Sequence, residues 1–281
     1  EIAMKNILKI MLMMITIFTI AGSAVYAAEI PVSDQDQLIT SRDWTEISNL
    51  QDEMKKEEPD ATIDYDKALK VYVDCNLIKL QTADTKKLTS ALESANYVWV
   101  IPFKMEKTYG MFTVAKGLPL SEEAKSVLTK AEQEEVKNHA GKWMITETAE
   151  HTVEPYYDIL LEKREALSDC TRVVLVGSQP GMRQPVALGM DDETARIWIS
   201  LGYQYPVMEK IPETQNVESG VYSFDSVAEI SDTYIEDSEV STGAGVQSRS
   251  SMKYVAGIGI IVIGSILILS VLKKKKLEDY E

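Results

Sequence analysis

Cys75, Cys170, His139 and His151 are the side chains whose chemistry would be most telling, and their spacing works against most of it. A zinc site needs three or four such ligands, usually in closely spaced pairs, and none of these four has another nearby in sequence. No metal is expected, and no cofactor. His139 falls in the last turn of a helix, where a cation complements the dipole, and His151 falls at a polar strand end. Two readings of the cysteines stand side by side. Outside a cell, Cys75 and Cys170 could pair and close a loop of about 95 residues, worth on the order of 4–5 kcal/mol in the chain-entropy picture. Alternatively both are buried thiols, with Cys75 in phase with Leu69, Val71 and Val73 on one strand face. A Cys/His nucleophile pair has less to recommend it, because two cysteines in an oxidising compartment favour bonding over catalysis.

The most distinctive loop is "GSQPGMRQP", which follows an apolar strand. Gly177 and Gly181 would let backbone approach a ligand, and Arg183 would present a cation there. The loop lacks the Lys-Ser/Thr ending of a phosphate loop and the central serine of a nucleophile elbow. A plain connector between Val176 and Val186 is the simpler reading. The acidic clusters Asp60, Asp64, Asp66 and Asp191, Asp192, Glu193 lack the ligand spacing and glycine of an EF-hand loop. "SSMK" matches Ser-x-x-Lys by chance beside an apolar run, without companion motifs. No catalytic set is found. Trp99, Trp143 and Trp198 fall in strands, where core packing outranks a stacking platform for sugars.

The elements that must position these residues follow from periodicity. Trp44, Ile47, Leu50 and Met54 lie on one helical face after a polar lead, with Ser41 or Asp43 as cap, and Pro59 ends that helix. "ALKVYVDCNLIKL" alternates as a strand over 68–80, and "TADTKKLTSALESA" turns Leu88, Ala91, Leu92 and Ala95 inward as a helix. "YVWVIPF" and "YGMFTVA" form a hairpin across "KMEKT". Ser121 caps one helix, Thr129 with Glu132 forms a capping box for the next, and Gly141 stops it. Then "KWMITETAEHTV" is a strand, "EPYYDILLEKREAL" a helix with Pro155 in its first turn, "TRVVLVGS" a strand, and "QPVALGM" with "ARIWISL" a second hairpin around "DDET".

The fold class implied is α+β, a mainly antiparallel sheet with packed helices over residues 61–212. It would be either one domain or two tandem βαββ modules. That order resembles the small tandem βαββ modules of extracytoplasmic bacterial proteins such as PepSY-type domains, a likeness of element order without a shared motif.

The chain ends set the topology. Residues 1–27 read as a signal peptide: Lys5 and Lys9, an apolar core from Ile10 to Ile20, and small residues Val25 and Ala27 at the cleavage site. Residues 28–60 hold the polar lead and first helix. Residues 213–252 carry eight acidic residues between Glu213 and Glu239, nine serines, and no basic residue before Arg249, which reads as an acidic stalk, with Val221, Tyr222 and Phe224 able to dock back on the body. Tyr254 to Leu272 has no charge and, at about 1.5 Å per residue, reaches roughly 28 Å as a helix, enough to span a bilayer. Lys273, Lys274, Lys275 and Lys276 then hold the tail, 273–281, on the cytoplasmic side. The tail is too short to fold, so no cytoplasmic signalling domain is expected.

The chain carries −15; leader and tail are each +1, which leaves −17 on the outer part. Such a surface repels nucleic-acid phosphates and anionic headgroups, so nucleic acid is excluded as a partner. No Asn-x-Ser/Thr acceptor occurs, which favours a bacterial envelope over a glycosylated cell surface. The expectation is a single-pass membrane protein, N-terminus outside. Its body would bind a peptide, a protein or an envelope component near the membrane, and its lipid contact would run through Tyr254 to Leu272. The alternative is an envelope hydrolase with a carboxylate-based site.

Overall fold

A computed structural model describes residues 30–230, apart from 152–153, 178, 180–181, 183, 203–207 and 212–215. The expected leader (1–27), the expected membrane segment Tyr254 to Leu272 and the four lysines after it lie outside the described residues. Among the described residues, no helix is long and apolar enough to cross a membrane.

After two 3₁₀ turns at Asp34–Asp36 and Leu38–Thr40, the chain forms α1 (Trp44–Ile47) and α2 (Gln51–Glu57). Strands β1 (Thr62–Ile63) and β2 (Leu69–Tyr72), helix α3 (Thr85–Ser94) and the hairpin β3 (Tyr97–Lys104) and β4 (Tyr109–Lys116) follow. Helices α4 (Glu122–Val127) and α5 (Lys130–His139) lead to β5 (Trp143–His151), and α6 (Tyr156–Glu162) leads to β6 (Arg172–Val176). The described part closes with β7 (Val186–Met190), β8 (Ala195–Ser200), β9 (Asn216–Glu218) and β10 (Val221–Ser223), and residues 224–230 are helical.

The signals of α4 and α5 act as expected, whereas the first helix lacks its expected side-chain cap. Ser121 accepts from the Ala124 N–H, the Thr129–Glu132 capping box is complete, and Gly141 adopts φ +76° after α5. Asp84 caps α3 by accepting from the Lys86 and Lys87 N–H groups.

The strands form one ten-stranded sheet in the order β5-β4-β3-β2-β6-β7-β8-β10-β9, with β1 added alongside β3. Every pairing is antiparallel except β2 with β6. The architecture is α+β with a mostly antiparallel sheet and a few helices. The repeated strand–helix–strands order does not make two separate sheets. β5, which opens the second repeat in sequence, pairs with β4 at the far edge and lies four places from β6.

Alternation along the strands sorts the core into faces. One face carries Leu69, Val71, Val173, Leu175, Ala187, Ile197 and Ile199, covered by Tyr156, Ile159 and Leu160 of α6. The other face carries two clusters. Trp99, Ile101, Phe103, Phe112 and Val114 pack with Leu38, Ile47 and Met54 from the N-terminal segment. Tyr72, Val174, Val176, Leu188 and Trp198 pack with Leu88 and Leu92 of α3. Lys70 and Tyr72 project at the seam between these two clusters, opposite Trp99 and Tyr97 across the β2–β3 ladder.

Two expected boundaries shift. The strand read over 68–80 stops at Tyr72, because Asp74 turns into the left-handed region (φ 54°) while its carboxylate accepts from the Asn96 N–H and Nδ2. The body extends past 212 into the expected stalk. β10 pairs with β8, and Val221, Phe224 and Val227 are buried in the core.

Candidate functional site

Where the N-terminal segment crosses the seam, a cleft of about 430 Å³ opens between residues 34–43, the C-terminal end of α3, the latter part of β2 and the start of β3. That volume lies within the range of small-ligand sites, roughly 300–1,000 Å³. Lys70 reaches it with a side chain only 10 % exposed. Its ammonium sits 4.7 Å from the Tyr97 ring centre, 5.3 Å from Trp99 and 5.7 Å from Tyr72. Three electron-rich rings therefore line one cation. Burial pulls the Lys70 amine below the ordinary lysine range, against the opposing pull of Asp36.

Asp36 is buried and serves as the common acceptor. Its Oδ2 accepts from the Ser33 hydroxyl (2.6 Å) and Arg172 Nη2 (3.0 Å), and its Oδ1 from the Tyr72 hydroxyl (2.7 Å). The Lys70 ammonium stands 3.4 Å from Oδ1. Burial pushes the Asp36 carboxyl up, but the Ser33 and Tyr72 hydrogen bonds and the Arg172 charge outweigh it and hold the group below the usual carboxylate range. The same burial, with Asp36 alongside, pushes the Tyr72 phenol well up, so it stays a donor.

Asp43, the second buried carboxylate, accepts from the Tyr97 hydroxyl (2.8 Å) and Trp99 Nε1 (3.1 Å). It makes no side-chain cap for α1. Arg42, 87 % exposed at the lip, lies 3.9 Å from its other oxygen. The arrangement is thus a desolvated cation facing a cleft, braced by two carboxylates whose lone pairs are largely taken. It suits holding an oxygen anion or carbonyl better than moving protons.

The loop read from sequence over 177–185 is described in part. Gln179, not singled out from sequence, is buried and sews the loop down: it accepts from the Leu77 N–H and donates to the Cys75 and Gly177 carbonyls. Gly177 donates its N–H to the Tyr72 carbonyl and does not line the cleft. A Cβ there would meet neighbours at an ordinary 3.6 Å, so no close backbone approach calls for glycine. Gly181 and Arg183 lie outside the described residues.

Cys75 and Cys170 are both free thiols. They pack on opposite faces of the sheet, Cys75 against the cluster of Tyr72 and Leu77, Cys170 among Val173 and Leu167. The bridge expectation fails because the sheet lies between them. The left-handed turn at Asp74 takes Cys75 out of phase with Leu69 and Val71.

Asp191 accepts from the Glu193 and Thr194 N–H groups and pairs with Arg196, so it builds the β7–β8 turn rather than a cation site. Asp64 pairs with Lys67. Among the described residues no group of three acidic, histidine or cysteine side chains could hold a metal ion. The chain matches no protein-family model, no curated protein and no solved structure.

Lys70, Asp36, Asp43 and Arg172 carry the site, and sequence reasoning passed over their role. A lysine between Leu69 and Val71 reads as the solvent side of an alternating strand, and Asp36 as part of a polar lead. The available signal was "LKVYV" itself: a central strand flanked by apolar residues leaves its one lysine nowhere polar to go.

Proposed function

We propose that the chain is a single-pass, membrane-anchored extracytoplasmic binding protein of a bacterial envelope. Its body takes a peptide or another small polar envelope component in the Lys70 cleft. The signal-peptide pattern of residues 1–27, the apolar run Tyr254 to Leu272 and Lys273 to Lys276 support the topology. The observation that carries the binding reading is the Lys70 ammonium at the floor of a cleft, ringed by Tyr72, Tyr97 and Trp99.

The hydrolase alternative has less support. A carboxylate pair for acid–base work needs one member held protonated, whereas Asp36 is held ionised and Asp43 is occupied by two donors. Both thiols are pushed up by burial, to about 12 for Cys75 and about 11 for Cys170, which suppresses the thiolate a nucleophile needs.

The test places a reporter on the rim. Thr40 lines the cleft and is exposed. In a Thr40→Cys chain, a membrane-impermeant maleimide should label intact spheroplasts, and a pool of short peptides should slow that labelling. Labelling only after permeabilisation would overturn the topology; labelling indifferent to the pool would overturn the binding reading.

A further inference from the structure

The charges around the cleft do not balance locally, and the pattern of the imbalance describes a ligand. The Lys70 and Arg172 cations both pair with one buried carboxylate, Asp36, while Asp43 acts on Lys70 through its charge without an ion pair, so Lys70 is only partly neutralised. Arg172 Nε is buried without a hydrogen-bond partner, a second sign that this corner lacks acceptors. Asp43 faces Arg42 at the lip and already takes two neutral donors. Asp34 and Glu93 also line the cleft, and among the described residues neither is in an ion pair. The cleft therefore presents one under-neutralised cation, Lys70, and two carboxylates outside any ion pair among the described residues, Asp34 and Glu93. Ala95 and Tyr97 add apolar surface to the lining, with Leu92 buried behind them.

A buried charge is costly unless it is paired, so the floor favours an anionic group. A ligand that is only anionic would meet the field of a body carrying a large negative excess, together with Asp34 and Glu93. One that is only cationic would leave Lys70 uncompensated. A neutral molecule bearing both charges satisfies each end. We infer that the cleft binds a zwitterion of amino-acid to dipeptide size, its carboxylate on Lys70 and its ammonium toward Asp34 and Glu93. The short side chains of such a ligand would lie along Ala95 and the Tyr97 ring. This inference rests on the binding reading above and names the class of ligand for that same cleft.

The test uses four probes that differ only in end charge: alanyl-alanine, its C-terminal amide, its N-acetyl derivative, and the doubly blocked form. Each is titrated calorimetrically into the full chain in detergent micelles. Alanyl-alanine should bind, the amide should bind about tenfold more weakly or worse, and the acetyl form should weaken by a smaller factor of about three to ten. Glu93→Gln, at an exposed position that leaves the core untouched, should weaken alanyl-alanine by about three- to tenfold and leave the acetyl form unchanged. Lys70→Met should abolish the preference for the acid over the amide. Equal affinity for acid and amide, or no binding of alanyl-alanine at all, would overturn the zwitterion inference. If the peptide pool still protected Thr40→Cys in either event, the binding reading would stand without it. If the pool also failed, both would fall.

Discussion

Asp36 and Lys70 are tied in one network, yet their removal should have very different costs. Replacing Asp36 by alanine leaves Lys70 and Arg172, both largely buried, without their ion-pair partner. Breaking such a pair by removing one partner costs about 3–5 kcal/mol. Lys70→Met instead puts an apolar chain among three rings and leaves Asp36 with Ser33, Tyr72 and Arg172, so its change should stay within about 1–2 kcal/mol. Urea midpoints for the two variants will show whether that ranking holds. The sign of the acid dependence follows from Asp36. Its folded pKa is depressed, so its stabilisation is present above the unfolded carboxylate value of about 3.9 and disappears as pH falls through the folded value. Asp36→Asn should flatten the midpoint-against-pH curve in that acid window. The thiols give a second residue-scale outcome. With both pushed far above neutrality, the folded chain should resist iodoacetamide near pH 8 while the urea-unfolded chain reacts. Reduction should leave its electrophoretic mobility unchanged.

At the scale of elements, the sequence spoke clearly where a local pattern decides structure. The capping box at Thr129, the stop at Gly141 and both hairpins are local rules, and each appears where expected. It was silent where tertiary cover overrides alternation. Lys70 occupies a position that would face water on a one-sided sheet, but residues 34–43 are laid across it. Composition assigned "NVESGVYSFDSVAEI" to the expected stalk and offered Val221, Tyr222 and Phe224 only as able to dock back, because single apolar positions become decisive only against Trp198 and Ile199. The β3–β4 hairpin offers a test of packing at this scale. A Cβ at Gly110 would fall within the Phe103 ring, whose centre lies 4.6 Å from that of Phe112. Gly110→Ala should therefore cost about 1–3 kcal/mol as the ring is displaced, read as a lower thermal midpoint with an unchanged far-ultraviolet spectrum.

For the whole molecule, the boundary of the folded body is the property most open to measurement. A chain spanning 28–230 should unfold in a single sharp transition. One spanning 28–212 loses Val221, Phe224 and Val227 from the core and uncovers β8, and should unfold at lower denaturant or aggregate. The candidate site belongs to this scale as well, since it draws on residues from Ser33 to Arg172 and exists only once the two halves of the sheet have met. They meet through one parallel ladder, in which Val71 pairs with Leu175. About one hundred residues separate those partners, a loop whose closure entropy must be met before the contact can repay it. A chain delivered N-terminus first thus presents β2 with a raw edge until β6 arrives. Through that interval the nascent half carries an open strand on which an early misstep would propagate. The central ladder makes the order in which the chain is delivered part of how this protein comes to be folded.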